Sequence, residues 1–445
     1  LFLLCNFLNT TEGIERGVYL LKYNKSTFSH FLLLLAVVIV GLMLCFPLEL
    51  SMAQEPNDAS GVFSSVVVDS VGFLGSGSAL ILDSNNNPHL SYYDSENGHL
   101  KYAHWTGTQW TKTTVDSSNI VGTYSAIALN SNGYPCISYY DILNGDLKYA
   151  QWNGERWRTQ IVDMQGKVGQ FSSLALDSND NPRISYYDET NHRLKYAHWT
   201  GSSWSMQIVD SGKVGQYCSL VLDSYGNPHI SYYDATHESL KYAYTNGTSW
   251  VLQTVDSSSK VGIGTCLALD SKDMPHISYI DNYWEHAKYA RYNGNQWIIS
   301  QVYSGNYGFF AGSASTLCLD SKDMAHISFQ DTLDYKLFYA TRSGDDWNIK
   351  IVDSTGNVGA YPCLKIDTDE QPHISYNIEE GNRLKYASAA SNLDSDGLLG
   401  EGSNRTETPT QTIPISDYFY LILIGSITAA IVILTVIILR KRKIK

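Results

Sequence analysis

Three observations predict an all-β fold, a seven-bladed β-propeller with four antiparallel strands per blade. A short motif recurs seven times at nearly constant spacing. Each copy holds four strand-like segments. The last copy lacks its fourth segment, and a matching one stands ahead of the first copy. The motif is Pro88-His89-Leu90-Ser91-Tyr92-Tyr93-Asp94, and it returns at Pro135, Pro182, Pro228, Pro275, Ala325 and Pro372. The steps are 47, 47, 46, 47, 50 and 47 residues. A period of this size belongs to a solenoid, a propeller or an array.

In the first copy the segments run from Ser78 to Asp83, His89 to Asp94, Leu100 to Trp105 and Trp110 to Asp116. They are rich in Tyr, Trp, Val, Ile, Leu and Thr, which suit a pleated surface. Asn85-Asn86-Asn87-Pro88, Glu96-Asn97-Gly98 and Thr106-Gly107-Thr108 punctuate them as turns. No helical period interrupts the region. Four strands in about 40–50 residues is the size of one propeller blade.

The fourth segment opens with Trp in copies one to six: Trp110, Trp157, Trp204, Trp250, Trp297 and Trp347. Copy seven stops after Leu384-Lys385-Tyr386-Ala387. Phe63-Ser64-Ser65-Val66-Val67-Val68-Asp69 precedes copy one, with Phe63 in the Trp position. This N-terminal strand is therefore expected to complete the last blade and close the ring, which removes open sheet edges.

The flanks divide as follows. Residues 1–53 form an N-terminal signal-peptide region. The apolar run Phe31 to Phe46 follows Lys22, Lys25 and His30 and precedes Ser51-Met52-Ala53; an uncleaved anchor is the competing reading. Residues 54–61 lead in, and residues 62–390 are the propeller. Residues 391–417 form a polar stalk. Tyr418 to Leu439 carries no charge over 22 residues, about 33 Å as a helix, enough for a bilayer core. Residues 440–445 form a basic tail, which the positive-inside rule leaves in the cytoplasm. The expectation is a single-pass cell-membrane protein with an extracellular propeller.

Net charge is −13. The tail residues Arg440, Lys441, Arg442, Lys443 and Lys445 carry +5 and residues 1–53 balance, so the exported part carries −18. That argues against nucleic acid as a partner. Cys136, Cys218, Cys266, Cys318 and Cys363 follow the signal region, an odd number. They read as buried thiols, with a Cys218–Cys266 bridge left open. Asn246-Gly247-Thr248 and Asn404-Arg405-Thr406 are glycosylation sequons.

The seven copies control for one another, because a residue in nearly every copy serves the blade. His89, His229, His276, His326 and His373 recur, with Cys136 and Arg183 in the other two copies. Ligands spread around a ring stand too far apart for bonds of about 2 Å, so these read as packing histidines and no metal is expected. Asp94, Asp141, Asp188, Asp234, Asp281 and Asp331 recur after the second strand, and Lys101, Lys148, Lys195, Lys241, Lys288 and Lys385 on the third. A cross-hairpin ion pair is the expectation. Asp83-Ser84-Asn85-Asn86-Asn87 reads as a plain turn, since no calcium-loop Glu follows. No cofactor is expected.

The turns Gly107-Thr108-Gln109-Trp110, Gly154-Glu155-Arg156-Trp157, Gly201-Ser202-Ser203-Trp204 and Gly344-Asp345-Asp346-Trp347 resemble the tail of the Asp-box motif, Ser-x-Asp-x-Gly-x-x-Trp. The repeat region resembles degenerate Asp-box (BNR-like, sialidase-superfamily-like) propellers of secreted and surface-anchored prokaryotic proteins. The Ser and Asp of the box are mostly absent, and the ring arginines do not match a sialidase triad. The resemblance implies the fold and not the activity.

Departures from the repeat point to function. An enlarged loop runs from Tyr303 through Tyr307, Phe309 and Phe310 to Gly312. The blade-five hairpin reads Asn282-Tyr283-Trp284-Glu285-His286. Blade six has Gln330 and Phe338 in place of Tyr and Lys, which leaves Asp331 without its expected lysine. Connectivity places these features on one face, away from the membrane. Tyr283, Trp284, His286, Tyr307, Phe309, Phe310 and Asp331 are the candidate ligand-binding residues, since rings stack on sugars and carboxylates take hydroxyls. A glycan- or protein-binding adhesion module is expected. The alternatives are a glycoside hydrolase or polysaccharide lyase using Glu285 and Asp331, and a structural envelope role.

Overall fold

The computed structural model describes residues 63–70, 77–258, 260–281, 286–304, 315–331, 334–378 and 382–389. Contacts divide the chain into Leu1–Ala390 and Ser391–Lys445. The signal region, the lead-in, the stalk, the span at 418–439, the tail and Asn404 lie outside the described residues. Among the described residues no helix is long and apolar enough to cross a membrane.

The strands form seven four-stranded antiparallel sheets. In blade one they are Ser78–Leu82, Pro88–Asp94, His99–Trp105 and Trp110–Asp116, within a residue of the expected bounds. The first strands of successive blades pack side by side around the axis, and blade seven's neighbours blade one's. They form the innermost layer, and each fourth strand forms the rim. Loops between blades and second-to-third-strand hairpins share one face, here the upper face. The other turns share the lower face.

Closure follows the split repeat. Phe63–Asp69 pairs antiparallel with Arg383–Ala389, with Phe63 opposite Ala389 and Val66 opposite Tyr386. The reason lies in the Trp position. At six seams that Trp meets, edge-on or nearly so, a Tyr on the previous blade's third strand, at 5.3–5.7 Å between centroids. Phe63 repeats the contact against Tyr339 at 5.7 Å. Each such pair contributes about 0.5–1.5 kcal/mol beyond its area.

The recurrent lysine corrects the cross-hairpin expectation. Its nearer partner is the Asp ending the previous blade's fourth strand. Lys101 meets Asp69 at 2.8 Å and its own Asp94 at 3.9 Å. Lys148 meets Asp116 at 2.5 Å and Asp141 at 4.0 Å. The buried second-strand Tyr donates to the same carboxylate, as Tyr92 to Asp69 at 2.6 Å and Tyr186 to Asp163 at 2.7 Å. This Asp–Tyr–Lys latch joins six of the seven seams. A hairpin pair would hold one blade together, whereas this one holds neighbours.

The seam between blades five and six has no latch. Tyr303 stands in the Asp position, Phe329 in the Tyr position and Phe338 in the Lys position. Their rings lie 5.1–5.5 Å apart. All three polar partners are replaced together, so no buried charge is stranded.

Deeper in, a second-strand Ser hydrogen-bonds a hydroxyl or thiol on the next blade's first strand, as Ser138 to Ser172 at 2.9 Å and Ser375 to Ser78 at 2.9 Å. Pro362 offers no hydroxyl to Ser328, which pairs with Thr316 of its own blade at 2.7 Å. The Val-Gly that opens most first strands has a steric cause. A Cβ on Gly122 would sit 2.7 Å from the Leu100 Cα, at a φ of +116°.

Candidate functional site

Of the expected ligand-binding residues, Tyr283, Trp284, Tyr307, Phe309 and Phe310 lie outside the described residues, as does Glu285. His286 opens the third strand of blade five opposite Asp281. Phe338 stands in place of the usual lysine, and Asp331 accepts instead from the Tyr303 hydroxyl at 3.1 Å and the Asp334 amide at 3.2 Å. Gln330 donates to the Val358 carbonyl at 2.8 Å. Tyr303, the fourth-strand aromatic, thus serves both the triad and Asp331.

The described residues bring together a different aromatic group. Every nine-residue first strand is bulged after its opening Val, as at Val121/Thr123 and Thr123/Ala126. Beyond the Val-Gly glycine, the bulge holds one further residue in the left-handed region. In four copies that residue is aromatic: Tyr124 (φ 52°), Phe171 (54°), Tyr217 (55°) and Tyr361 (50°). Left-handed backbone costs an ordinary residue about 1–2 kcal/mol. Four repetitions of that cost on large rings call for a purpose, since strain collects at functional sites.

These strands are innermost, so the rings stand at the central channel, toward the upper face where the strands begin. Tyr124 and Phe171 lie 4.6 Å apart and Phe171 and Tyr217 4.5 Å, all half-buried. Tyr361, three blades from Tyr217, is close enough for its hydroxyl to oppose ionisation of both Tyr217 and Tyr124. By blade order the quartet stands on both sides of the axis. Gly77 and Gly264 hold the same position in blades one and five, so those two blades contribute no ring.

Polar groups border the rings. Gln170, next to Phe171, donates to Glu189 at 3.1 Å. Tyr140 lies 6.3 Å from Tyr124, and Tyr187 6.3 Å from Phe171. The Tyr187 hydroxyl meets His192 Nδ1 at 3.0 Å. Burial raises the hydroxyls of Tyr124, Tyr140 and Tyr217 above their ordinary pKa; neighbouring phenols add to this for Tyr124 and Tyr217, and for Tyr140 nearby carboxylates do so against a Gln170 hydrogen bond. They stay neutral and both donate and accept. Flat apolar faces, an amide and a carboxylate at one opening can stack on a ring of CH groups and bind the hydroxyls around it.

The histidines are structural. His89 Nδ1 meets the Tyr102 hydroxyl at 2.5 Å, and His276 and His326 repeat the bond at 2.5 Å to Tyr289 and Tyr339. In blade three Arg183 takes over, reaching Asp177 at 2.7 Å and the Tyr196 hydroxyl at 3.5 Å. Among the described residues no group of three or more His, Cys, Asp or Glu could hold a metal ion. The Asp83 carboxylate caps its own turn through the Asn85 and Asn87 amides, both at 2.8 Å. All five described cysteines are free, so the Cys218–Cys266 bridge does not form. Cys218 is buried, which pushes its thiol up to about 12. Asn246 is exposed on a lower-face turn.

The quartet was missed because an aromatic residue in a strand is ordinary. Its signal was positional: Tyr124, Phe171, Tyr217 and Tyr361 each fall three residues after a Val-Gly valine, whereas Gly264 breaks the series.

No family model matches the chain, and no curated protein matches it. Among solved structures it is similar to the SapL1 lectin in complex with α-methyl fucoside, at 15% identity and TM-score 0.45, over 64% of this chain and 97% of that one. It is similar to the polysaccharide lyase Uly1 at 10% identity and TM-score 0.46, over 72% and 90%. It is similar to the NanB sialidase of Streptococcus pneumoniae at 9% identity and TM-score 0.40, over 74% and 71%. At TM-scores below 0.5 these likenesses do not choose a ligand, and the count of seven blades rests on this chain's own strand pairing.

Proposed function

We propose that the propeller is a recognition module that binds a glycan at the upper mouth of its central channel. The supporting observation is the aromatic quartet Tyr124, Phe171, Tyr217 and Tyr361, held left-handed at one bulge position and bordered by Gln170 and Glu189. The rings would stack on the apolar face of a sugar while the amide and carboxylate take its hydroxyls. From the sequence alone, Tyr283, Trp284, Tyr307, Phe309 and Phe310 are proposed as further contacts. In this proposal residues 418–439 anchor the protein in the cell membrane with the propeller outside.

Tyr217→Gly is the discriminating variant, because glycine suits the φ of 55° and the fold loses a ring without gaining strain. Glycan-array binding of the purified protein should fall at least about tenfold, in line with loss of a buried aromatic anchor. Unchanged binding in Tyr217→Gly and in Phe171→Ala would refute the mouth as the site. Truncation after residue 390 should release the propeller from cells, and retention would refute the tether.

A further inference from the structure

The seam between blades five and six gathers unspent donors around one ring. Arg342 lies near the end of the third strand of blade six, at the position where blades one to three carry Trp105, Trp152 and Trp199. Those tryptophans pack on their own blade's fourth-strand Trp at 5.6–5.8 Å. Arg342 instead crosses to blade five, with its Cζ 5.5 Å over the Tyr289 ring. Its Nε is buried without a hydrogen-bond partner. Its carboxylate contact is Asp345 at 3.0 Å, a side chain 96% exposed, and such a pair is worth little in water.

Arg291 follows Tyr289 by two residues on the third strand of blade five, paired in register with His276. Other copies put His104, Gln151, His198, Tyr244, Thr341 or Ser388 there. Among the described residues Arg291 has no hydrogen bond or ion pair, and its Nε too is buried. The third donor is Trp347, whose ring meets Tyr289 edge-on at 5.3 Å. At the two preceding seams the equivalent indole donates to a glutamine, Trp250 to Gln207 and Trp297 to Gln253, both at 3.0 Å. Ser300 stands in that glutamine's place here, and the Trp347 Nε1 has no partner. Burial holds the Tyr289 hydroxyl neutral, against the charge and a hydrogen bond of Arg342 and the charge of Arg291.

Two cations and three buried, unpartnered N–H groups in a protein of net charge −13 call for an acceptor. Burying such donors unpaired is costly, and an oxyanion would satisfy them with charge-assisted bonds. We infer that the lower rim of the blade five–six seam binds an oxyanion, the carboxylate or sulfate ester of an acidic glycan, through Arg291, Arg342 and Trp347. The third strands end and the fourth strands begin on the lower face, so this site is separate from the channel mouth. Arg291 and Arg342 both keep some exposure, which leaves a path from solvent.

The experiment is equilibrium binding of the full-length protein to four probes: a uronate oligosaccharide, a sulfated oligosaccharide, a neutral oligosaccharide of equal length, and inorganic sulfate alone. At least one charged oligosaccharide should bind more tightly than the neutral one, and the better of the two identifies the anion. Arg291→Gln should weaken that probe about ten- to hundredfold and leave the neutral one unchanged. Arg342→Lys, which keeps the charge and loses the fork, should weaken it less. Without ligand, Arg291→Gln should melt at or above the parent temperature, since an unpartnered group is removed. Equal binding of charged and neutral probes, or equal affinity in parent and Arg291→Gln, overturns the inference. So does binding of inorganic sulfate alone that neither variant weakens. Tyr217→Gly should not affect this binding, so this inference and the channel-mouth reading fail separately.

Discussion

The Asp163–Tyr186–Lys195 latch can be tested against a replacement the protein already contains. Asp163 is 3% exposed, Lys195 7% and Tyr186 fully buried. Lys195 also lies 5.4 Å over the Tyr186 ring. Replacing Lys195 with Phe leaves the Asp163 carboxylate buried, with Tyr186 at 2.7 Å and the Gln165 amide at 3.1 Å still donating. Stranding a buried charge in this way costs about 3–5 kcal/mol. In a domain of roughly 300 residues that lowers the melting temperature by about 4–8 °C. The triple variant Asp163→Tyr, Tyr186→Phe, Lys195→Phe copies the Tyr303, Phe329 and Phe338 cluster. Exchange of a whole buried polar group for apolar packing is often neutral, so most of the loss should return, to within about 1–2 kcal/mol of the parent. Calorimetry or urea unfolding of the parent, the single and the triple variant reads the coupling directly. A Lys195→Phe cost below about 1 kcal/mol would refute the reasoning, because the pair would then carry little of the seam. A triple variant no more stable than the single one would show that blade six depends on more than those three residues.

Two further outcomes concern pH. Asp146 sits directly opposite Asp141 in the blade-two hairpin, where other copies have residues such as His99, Arg193 and Lys336. Burial and then the Asp141 charge raise its pKa, against Lys148. A raised carboxyl favours the fold below the unfolded value near 4 and loses that contribution as pH rises through its folded value. Asp146→Asn should therefore stabilise the protein at pH 7 by about 1 kcal/mol, and the gain should vanish in acid melts; a gain independent of pH would contradict this. The ring should also lose stability in acid in two stages. Burial, then the neighbouring His104, depress His89 to about 4, with Asp83 opposing. Its contribution, roughly 3 kcal/mol, is present above pH 6.5 and is lost as pH falls toward 4. Burial raises Asp116, but bonds from Lys148 and Tyr139 outweigh it and hold the carboxyl at about 2. Its share, roughly 2 kcal/mol, goes between about pH 4 and pH 2. A melting temperature flat from pH 7 to pH 4 would remove the histidine stage.

The sequence alone determined the number of blades, their strands and the way the ring closes. Those features repeat, and repetition separates a blade's needs from local accident. Phe63 matched the tryptophan series by spacing alone, and the structure seats it against Tyr339. The role of the recurrent histidines was legible for the same reason. Tertiary structure decided what lies across a seam. Whether Lys148 serves Asp141 or Asp116 depends on how one sheet is set against the next, and both carboxylates lie within reach of one flexible side chain. The channel-mouth quartet was hidden likewise: a bulge that turns a residue left-handed leaves no mark in strand propensity, and rings from blades two, three and four meet only because neighbouring first strands pack around the axis. The unspent donors of Arg291, Arg342 and Trp347 could not be seen in one dimension either, because a missing partner is a property of the space around a side chain.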